Sequence, residues 1–134
     1  AEKRVNDNWP LYGNFPYILG QDQVLNEPLS RIPPTQGIMG LRWRNSEKYE
    51  YLDFYAWLVR RQDRLNFQDI SDSRIPNGGT PGYATFNIRY GTMLSDTQRI
   101  TVELENILDQ AYRVHGSGVD GAGFSANIQY SFEF

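Results

Sequence analysis

Apolar and polar residues alternate in six separate segments of this 134-residue chain, and no other feature constrains its fold as strongly. A period of two places successive side chains on opposite faces of a β-strand. Each segment is 7–11 residues long, a length that suits a half-buried strand or a tilted strand across a membrane. Gly or Pro interrupts most stretches that have a helical period, so helix is disfavoured. The six predicted strands are 9–19, 37–44, 51–61, 83–91, 99–105 and 124–134.

Composition excludes several classes of protein. The length indicates a single domain, and the absence of cysteine excludes disulfide scaffolds and thiolate metal sites. The net charge of -3 supplies no basic face, so we expect no nucleic-acid partner. No apolar run is long enough for a transmembrane helix, but a mean hydropathy of -0.59 is compatible with a barrel wall whose residues alternate.

The connections between the predicted strands alternate between long and short. The long ones are rich in Gly, Pro, Asp and Asn, whereas the short ones are polar turns. Antiparallel outer-membrane barrels have short periplasmic turns and long extracellular loops, so this alternation predicts a transmembrane barrel wall. A soluble β-sandwich remains the alternative, because its strands also alternate. A sandwich gives no reason for long and short connections to alternate. In order, the connections are 20–35, 45–48, 62–80, 92–97 and 107–122.

Three stretches of the chain resemble the C-terminal part of TonB-dependent outer-membrane receptors. In the last of them, ENILD leads to an aromatic residue, a glycine-rich loop and a final strand that ends in Phe. The stretches are EPLSRIPPTQGIMGLRWR (27–44), RRQDRLNFQDISDSRIPNGGTPGYATFNIRYG (60–91) and VELENILDQAYRVHGSGVDGAGFSANIQYSFEF (102–134).

The resemblance implies that residues 1–134 are the C-terminal part of a receptor barrel in the bacterial outer membrane. Receptors of this family take up scarce nutrients such as iron–siderophore complexes through a 22-stranded barrel around an N-terminal plug. The implied partners are the rest of the barrel and the plug, outer-membrane lipid and lipopolysaccharide, the TonB system acting through the plug, and the outer-membrane insertion machinery.

The chain departs from the receptor plan because it has six candidate strands, no plug and no N-terminal box. Six strands leave two open edges, whose unpaired backbone groups are costly in lipid. We therefore expect either a segment of a larger barrel or a short chain that completes a barrel with another polypeptide. Pro10 and Pro16 make the first strand the least certain, because a central ladder loses hydrogen-bond donors at proline.

The polar face carries charges of both signs that we expect to line the barrel interior. Mixed signs allow pairing within the wall or with the plug, and the arginines offer a second role in guiding an anionic substrate. Loop residues Arg60, Arg64 and Arg74 are candidates for binding lipopolysaccharide phosphates or a ligand, since Arg binds such groups bidentately. The predicted interior-facing residues are Arg42, Arg44, Asp53, Arg61, Arg89, Glu103 and Glu105.

The sequence indicates no enzyme, no cofactor and no metal site. His115 is the single histidine, so a His pair for a metal is impossible, and its loop context favours a hydrogen-bonding role. The glycine-rich stretch around it lacks the strand–helix order of a phosphate loop. Asp69, Asp72, Asp109 and Asp120 lie in loops without calcium-loop spacing, so we expect them to be solvated.

The C-terminal strand suggests an assembly signal. Its apolar residues alternate up to an aromatic C-terminus, a pattern similar to the one by which outer-membrane proteins are recognised through strand addition. A lipid-facing role is compatible with this signal. The residues are Ile128, Tyr130, Phe132 and Phe134.

We predict that deletion of Phe134 impairs assembly more than substitution of Phe124 does, because only Phe134 lies at the recognised terminus. The amount of each variant in outer-membrane fractions measures this. Equal assembly of the two variants contradicts the signal.

Overall fold

The computed structural model describes the backbone of residues 2–6, 8–45 and 47–134, and the side-chain surroundings of these residues except 2 and 4–6. Within this part of the chain there are nine strands and one short helix. They are β1 (Glu2–Asn6), β2 (Trp9–Asn14), β3 (Gln21–Asp22), β4 (Glu27–Pro28), β5 (Gln36–Asn45), β6 (Glu50–Val59), α1 (Phe67–Ser71), β7 (Tyr83–Ser95), β8 (Gln98–Glu105) and β9 (Ser125–Phe132).

Seven of the strands form one antiparallel sheet in the order β1-β2-β5-β6-β7-β8-β9. Each strand pairs with the next sheet strand along the chain, which confirms the predicted all-β, antiparallel, up-and-down fold. The remaining two, β3 and β4, form a small ribbon in the first long connection. The alternation pattern did not indicate β1, which pairs with β2. Among the described residues β1 and β9 do not pair with each other, so the sheet is open.

The connections separate to the two ends of the sheet as predicted. At one end, the short-turn end, lie the turns 7–8, 46–49 and 96–97, of which residues 7 and 46 are outside the described residues. At the other end, the long-loop end, lie the connections 15–35, 60–82 and 106–124. Within the described ranges, no helix has the length and apolar character needed to cross a membrane.

Several predicted strand boundaries are wrong. The first strand ends at Asn14 rather than at 19, and β6 ends at Val59 rather than at 61. A Cβ on Gly82 would lie 2.7 Å from the Val59 carbonyl oxygen, so another segment crosses closely where β6 ends. In contrast, β7 continues to Ser95 through residues predicted to form a turn.

Pro10 and Pro16 remove no hydrogen bond from the ladder between β2 and β5. That ladder begins where Leu11 pairs with Leu41 and ends at Asn14. Pro10 precedes it and faces β1, and Pro16 lies beyond the strand. Proline is tolerated where no ladder donor is needed.

Apolar side chains form rows across one face of the sheet, because the register brings equivalent positions together. Phe54 pairs with Leu41 on one side and with Ile88 on the other. In the described part of the chain no second layer covers this face, and Phe54 and Ile128 are 41% and 74% exposed. A soluble sandwich buries such a face against another sheet, so the sandwich alternative is not supported. One row consists of Leu11, Leu41, Phe54, Ile88, Leu104 and Ala126.

Five aromatic residues lie toward the short-turn end. Arg44 N donates to Asn8 O over 3.0 Å, which brings Trp9 to the end where Trp43 lies. An aromatic belt at one level of a barrel suits the membrane–water interface. The residues are Trp9, Trp43, Tyr90, Phe132 and Phe134.

The last long loop, 106–124, is closed by Asn106, which is 3% exposed. Its φ of 50° lies in the left-handed region that Asn tolerates better than most residues. Its side-chain amide donates to Gln110 O and Ala122 O, and its side-chain oxygen accepts from Gln110 N. Asp109 closes the same loop by accepting from Phe124 N. The ENILD sequence therefore has a structural role: it folds the loop back onto the end of β8.

We predict that Asn106→Ala opens this loop, because it removes three hydrogen bonds and strains the backbone. Asn106→Gly, which keeps the φ but loses the bonds, should open it less. Hydrogen exchange and protease cleavage within 107–123 measure the opening, with Ser117→Ala as the control in the exposed part of the loop. Equal protection in wild type and Asn106→Ala contradicts the role of Asn106.

Candidate functional site: the charged face of the sheet

Four charged residues of alternating sign lie side by side on the polar face, one on each of β5, β6, β7 and β8. Arg42 pairs in register with Asp53, Asp53 with Arg89, and Arg89 with Glu103. We call this row of Arg42, Asp53, Arg89 and Glu103 the charged ladder. Opposite charges directly across strands attract, so the row stabilises this register.

The first half of the ladder is the more buried. Asp53 has no exposed surface, and one carboxylate oxygen accepts a bond from Arg42 Nη2. Tyr12 OH donates to its other oxygen over 2.9 Å. The Arg42 guanidinium lies 5.4 Å from the ring centroid of Tyr12 and 5.3 Å from that of Tyr51, close enough for cation–π attraction.

The second half repeats the arrangement with different partners. Arg89 Nε and Nη2 both donate to Glu103 Oε1, over 3.0 and 2.5 Å. Tyr55 OH donates to the same oxygen, and the Tyr55 ring centroid lies 5.3 Å from the Arg89 guanidinium. Each ion pair is therefore completed by a tyrosine hydroxyl and by an aromatic ring.

Two glycines make room for the tyrosines. A Cβ on Gly40 would lie 2.5 Å from the Tyr12 ring, and one on Gly91 would lie 2.3 Å from the Tyr51 ring. Each ring therefore lies flat across a neighbouring strand, which is how Tyr12 on β2 reaches Asp53 on β6. Aromatic cover of strand glycines also fixes the register.

The ladder is electrically balanced. Its two cations and two anions pair within the sheet, so this part of the polar face needs no external counter-ion. A buried pair is costly to break, since the remaining charge is left unpaired. The arrangement therefore favours a rigid sheet.

We predict that Asp53→Asn lowers the free energy of unfolding by about 3 kcal/mol, because it leaves Arg42 without its buried counter-charge. Glu103→Gln should cost only about 1 kcal/mol, because the Arg89–Glu103 pair is partly exposed. Urea unfolding of the assembled protein measures both. Equal losses would show that burial does not distinguish the two pairs.

The other predicted interior-facing residues lie outside the ladder. Arg44 is on the polar face of β5 beyond Arg42, toward the short-turn end. Glu105 ends β8, where it accepts from Asn127 Nδ2 over 2.9 Å. Arg61 was predicted to lie in a strand, which is wrong because it follows the end of β6. Its Nη2 donates to Gly78 O over 2.6 Å.

A concave space of about 260 Å³ lies between the polar face and the last long loop. Its lining combines the aromatic rings of Tyr55, Trp57 and Tyr112 with the side chains of Asn87 and Glu105. Aromatic walls with a few polar groups are typical of sites that bind polar organic ligands. The space opens at the long-loop end of the charged face.

The candidate loop arginines make contacts within the loops. Arg64 Nη2 donates to Gln21 Oε1 over 2.7 Å, and Arg74 forms an ion pair with Asp72. Hydrogen bonds from Arg74 hold the pKa of the Asp72 carboxyl well below its usual range. The backbone N of Arg60 donates to Thr35 O.

The four loop aspartates are used in separate contacts. Asp69 completes the capping box of α1 by accepting from the backbone N of Asn66, the N-cap residue. It also accepts from the backbone N of Arg31, and it is 2% exposed. Asp120 pairs with Arg113, and Asp109 accepts from Phe124 N. In the described part of the chain no three His, Asp or Glu side chains are grouped as a metal site.

His115 joins two long loops. Its Nδ1 lies 2.8 Å from Thr80 Oγ1, and its Nε2 is buried without a hydrogen-bond partner. The expected hydrogen-bonding role is confirmed. Burial lowers the pKa of His115, an effect that the Asp69 and Asp72 carboxylates partly offset.

We predict that the contact between loops 62–80 and 107–122 weakens in acid. Because the pKa of His115 lies below 6.5 in the folded protein, the neutral ring stabilises the contact above that pH. This stabilisation is lost as the pH falls through the folded-state pKa. Hydrogen-exchange protection of 107–122 should therefore be complete well above pH 6.5 and should fall as the pH is lowered from 6.5 through the folded-state pKa of His115. If His115→Gln loses protection over the same range, another group is responsible.

The tyrosines of the ladder and one further arginine were not predicted from the sequence. Tyr12, Tyr51 and Tyr55 had the parity of the polar face, but their contacts cross between strands and follow only from the register. Arg99 also has this parity, and it pairs with Ser131 of β9. Because Arg99 alternates with the apolar Ile100, the sequence alone was sufficient to place Arg99 on the polar face.

The predicted assembly-signal residues lie on and beyond β9. Ile128, Tyr130 and Phe132 alternate along the strand. Ile128 and Tyr130 pair with Val102 and Ile100 of β8, and Phe132 pairs with Gln98. Phe134 follows the strand, and its ring centroid lies 6.2 Å from that of Phe132. Their role in assembly stays a prediction.

Comparison with known proteins gives a likeness of fold. The solved structure of the copper transporter OprC matches 99% of this chain with a TM-score of 0.85 and 16% sequence identity. The match is one of fold alone. It covers 22% of the transporter, so this chain spans about a fifth of that protein's length. No family model matches the sequence, and no curated protein matches it.

Proposed function

We propose that the chain is the C-terminal part of the barrel wall of a TonB-dependent receptor in the bacterial outer membrane. The protein is then a transporter component and not an enzyme. Its cargo is a scarce nutrient, for which we favour a metal or a metal complex such as an iron–siderophore complex. The metal class is supported by the name of the copper transporter whose fold the chain shares.

The observation that carries this proposal is the inverted distribution of polarity. The apolar face is exposed across the sheet, whereas the polar face contains Asp53 with no exposed surface. A sheet in water buries its apolar face, and a wall in lipid presents it to the acyl chains. The separation of short turns from long loops at opposite ends of the sheet also supports a barrel wall in lipid.

In this proposal the charged face lines the interior. Arg42, Asp53, Arg89 and Glu103 form the wall, while Arg44 and Glu105 are contacts for the plug or the cargo. The space beside Trp57 and Tyr112 lies near the extracellular loops, where a bound cargo first meets the wall. Arg61 belongs to a long loop in this proposal and does not line the interior.

A second candidate is a short chain that completes a barrel with another polypeptide. The open edges at β1 and β9 favour a partner for each edge, since unpaired backbone groups are costly in lipid. Both candidates therefore share the wall and differ in whether the missing strands belong to the same chain. The denatured mass of the native protein in outer-membrane extracts separates them.

We predict costs of different size for two neighbouring substitutions on β9. Ile128→Arg places a charge on the lipid face and should cost about 2–4 kcal/mol of stability in bilayers, whereas Gln129→Arg on the interior face should cost under about 1 kcal/mol. Refolding of the native protein into lipid bilayers at different urea concentrations measures both. Equal costs would show that neither face contacts lipid.

A further inference from the structure

A tight turn over residues 76–79, in the second long loop, exposes an asparagine that is followed by a glycine. Gly79 N donates to Pro76 O over 2.9 Å, and Gly78 has a φ of 81°. This φ is typical of the third position of a type II turn, where glycine is favoured. Asn77 takes the second position, and both Asn77 and Gly78 are exposed to solvent.

The side-chain amide of Asn77 and the backbone N of Gly78 are both available for reaction. Neither group forms a hydrogen bond with any residue that the structure describes. Arg61 Nη2 donates to the Gly78 carbonyl oxygen over 2.6 Å, a contact that leaves the Gly78 N unengaged. Because glycine has no Cβ, no side chain shields this N from the neighbouring amide.

Asparagine is one of the thermolabile residues of proteins, and the reason is a reaction with the next backbone N. Here the Gly78 N loses its proton to water and bonds to Cγ of Asn77. The Cγ–Nδ2 bond then breaks, and ammonia leaves with a proton from the solvent. Water opens the resulting succinimide ring at one of its two carbonyl carbons, which gives aspartate or isoaspartate. In total one water is consumed and one ammonia is released, without oxidation or reduction.

We propose that Asn77 is a site of spontaneous deamidation, and that its conversion to isoaspartate loosens the contact between loops 62–80 and 107–122. The reaction needs only water and the exposed turn. The inference therefore does not rest on the proposed function of the chain.

The turn leads directly into the residues that join the two loops. Thr80 N donates to Gln62 O, and Gln62 N donates to Thr80 O, each over 3.0 Å. A Cβ on Gly79 would lie 2.1 Å from Gln62 O, so the backbone after the turn has little room to shift. Thr80 Oγ1 also lies 2.8 Å from His115 Nδ1. Isoaspartate adds a methylene carbon to the main chain at 77, so the segment that holds His115 must move.

Mass spectrometry of the native protein during incubation in mildly alkaline buffer tests the site. We expect Asn77 to gain the mass that replacement of its NH₂ by OH produces, and isoaspartyl methyltransferase to label the product. Asn66 is the matched control in the same loop. It should remain asparagine, because its side chain accepts from Asp69 N and the ring of Phe67 shields the next backbone N.

Two variants separate the reaction from general ageing of the protein. Gly78→Ala should slow the conversion severalfold, because a Cβ shields the reacting N and alanine is strained at this positive φ. Asn77→Gln keeps the amide but requires a six-membered ring, so it should show no conversion over the same time. Each variant is compared with wild type in the same buffer.

Hydrogen exchange, measured at one pH after incubation, tests the effect on the loops. Protection of 107–122 should fall in proportion to the isoaspartate content of wild type and should stay unchanged in Asn77→Gln. Freshly prepared Asn77→Asp, which adds the charge without the extra methylene carbon, should keep most of the protection.

Several outcomes would overturn the inference. If Asn77 is unchanged after a time that converts a synthetic peptide of residues 72–82, the turn protects the asparagine and the site is wrong. Conversion of Asn66 as fast as that of Asn77 would show that the glycine and the turn have no influence. Unchanged protection of 107–122 after full conversion, or an equal loss in Asn77→Gln, would contradict the effect on the loops.

Discussion

Backbone hydrogen bonding between neighbouring strands is the constraint on which the rest of this structure depends. The apolar face has no second layer in the described part of the chain, so little side-chain packing of the ordinary kind holds the sheet together. The buried apolar residues of that part are Ala56, Val59 and Ile75, which is too few for the core of a water-soluble domain of this length. The sheet is held instead by its ladders and by the polar contacts across one face.

This constraint explains why the best-buried groups are charged. Asp53 lies on a central strand with neighbours on both sides, and Tyr12 covers it from two strands away. Because Arg42 and Tyr12 occupy both of its carboxylate oxygens, the carboxylate is satisfied without water. Such a pair adds little net stability compared with an apolar packing, but it penalises a shift in register strongly. In a sheet whose other face carries only rows of exposed apolar side chains, the charged ladder specifies the alignment.

The strands could be predicted from the sequence because a period of two is a local property. Their ends could not, since Arg61 keeps the polar parity of β6 although the chain has left the strand after Val59. The departure is set by the close approach of Gly82, which joins residues distant in sequence. Likewise, the parity of Arg42, Asp53, Arg89 and Glu103 was visible, but their alignment in one row depends on the length of two hairpin turns. The space that Gly40 and Gly91 leave for tyrosine rings could not be predicted without knowing the strand register.

The two ends of the polar face differ in how their charges are used. In the middle, equal numbers of cations and anions are paired within the sheet, so that region is complete without a partner. At the long-loop end the loops supply their own contacts, with Asn106 and Asp109 closing one loop and His115 joining it to another. At the short-turn end, Arg44 and Arg99 form no ion pair with any described residue. Charges are therefore paired where the sheet buries them, as at Asp53, and unpaired where they are exposed, as at Arg44 and Arg99, because only a buried charge without a partner is strongly destabilising.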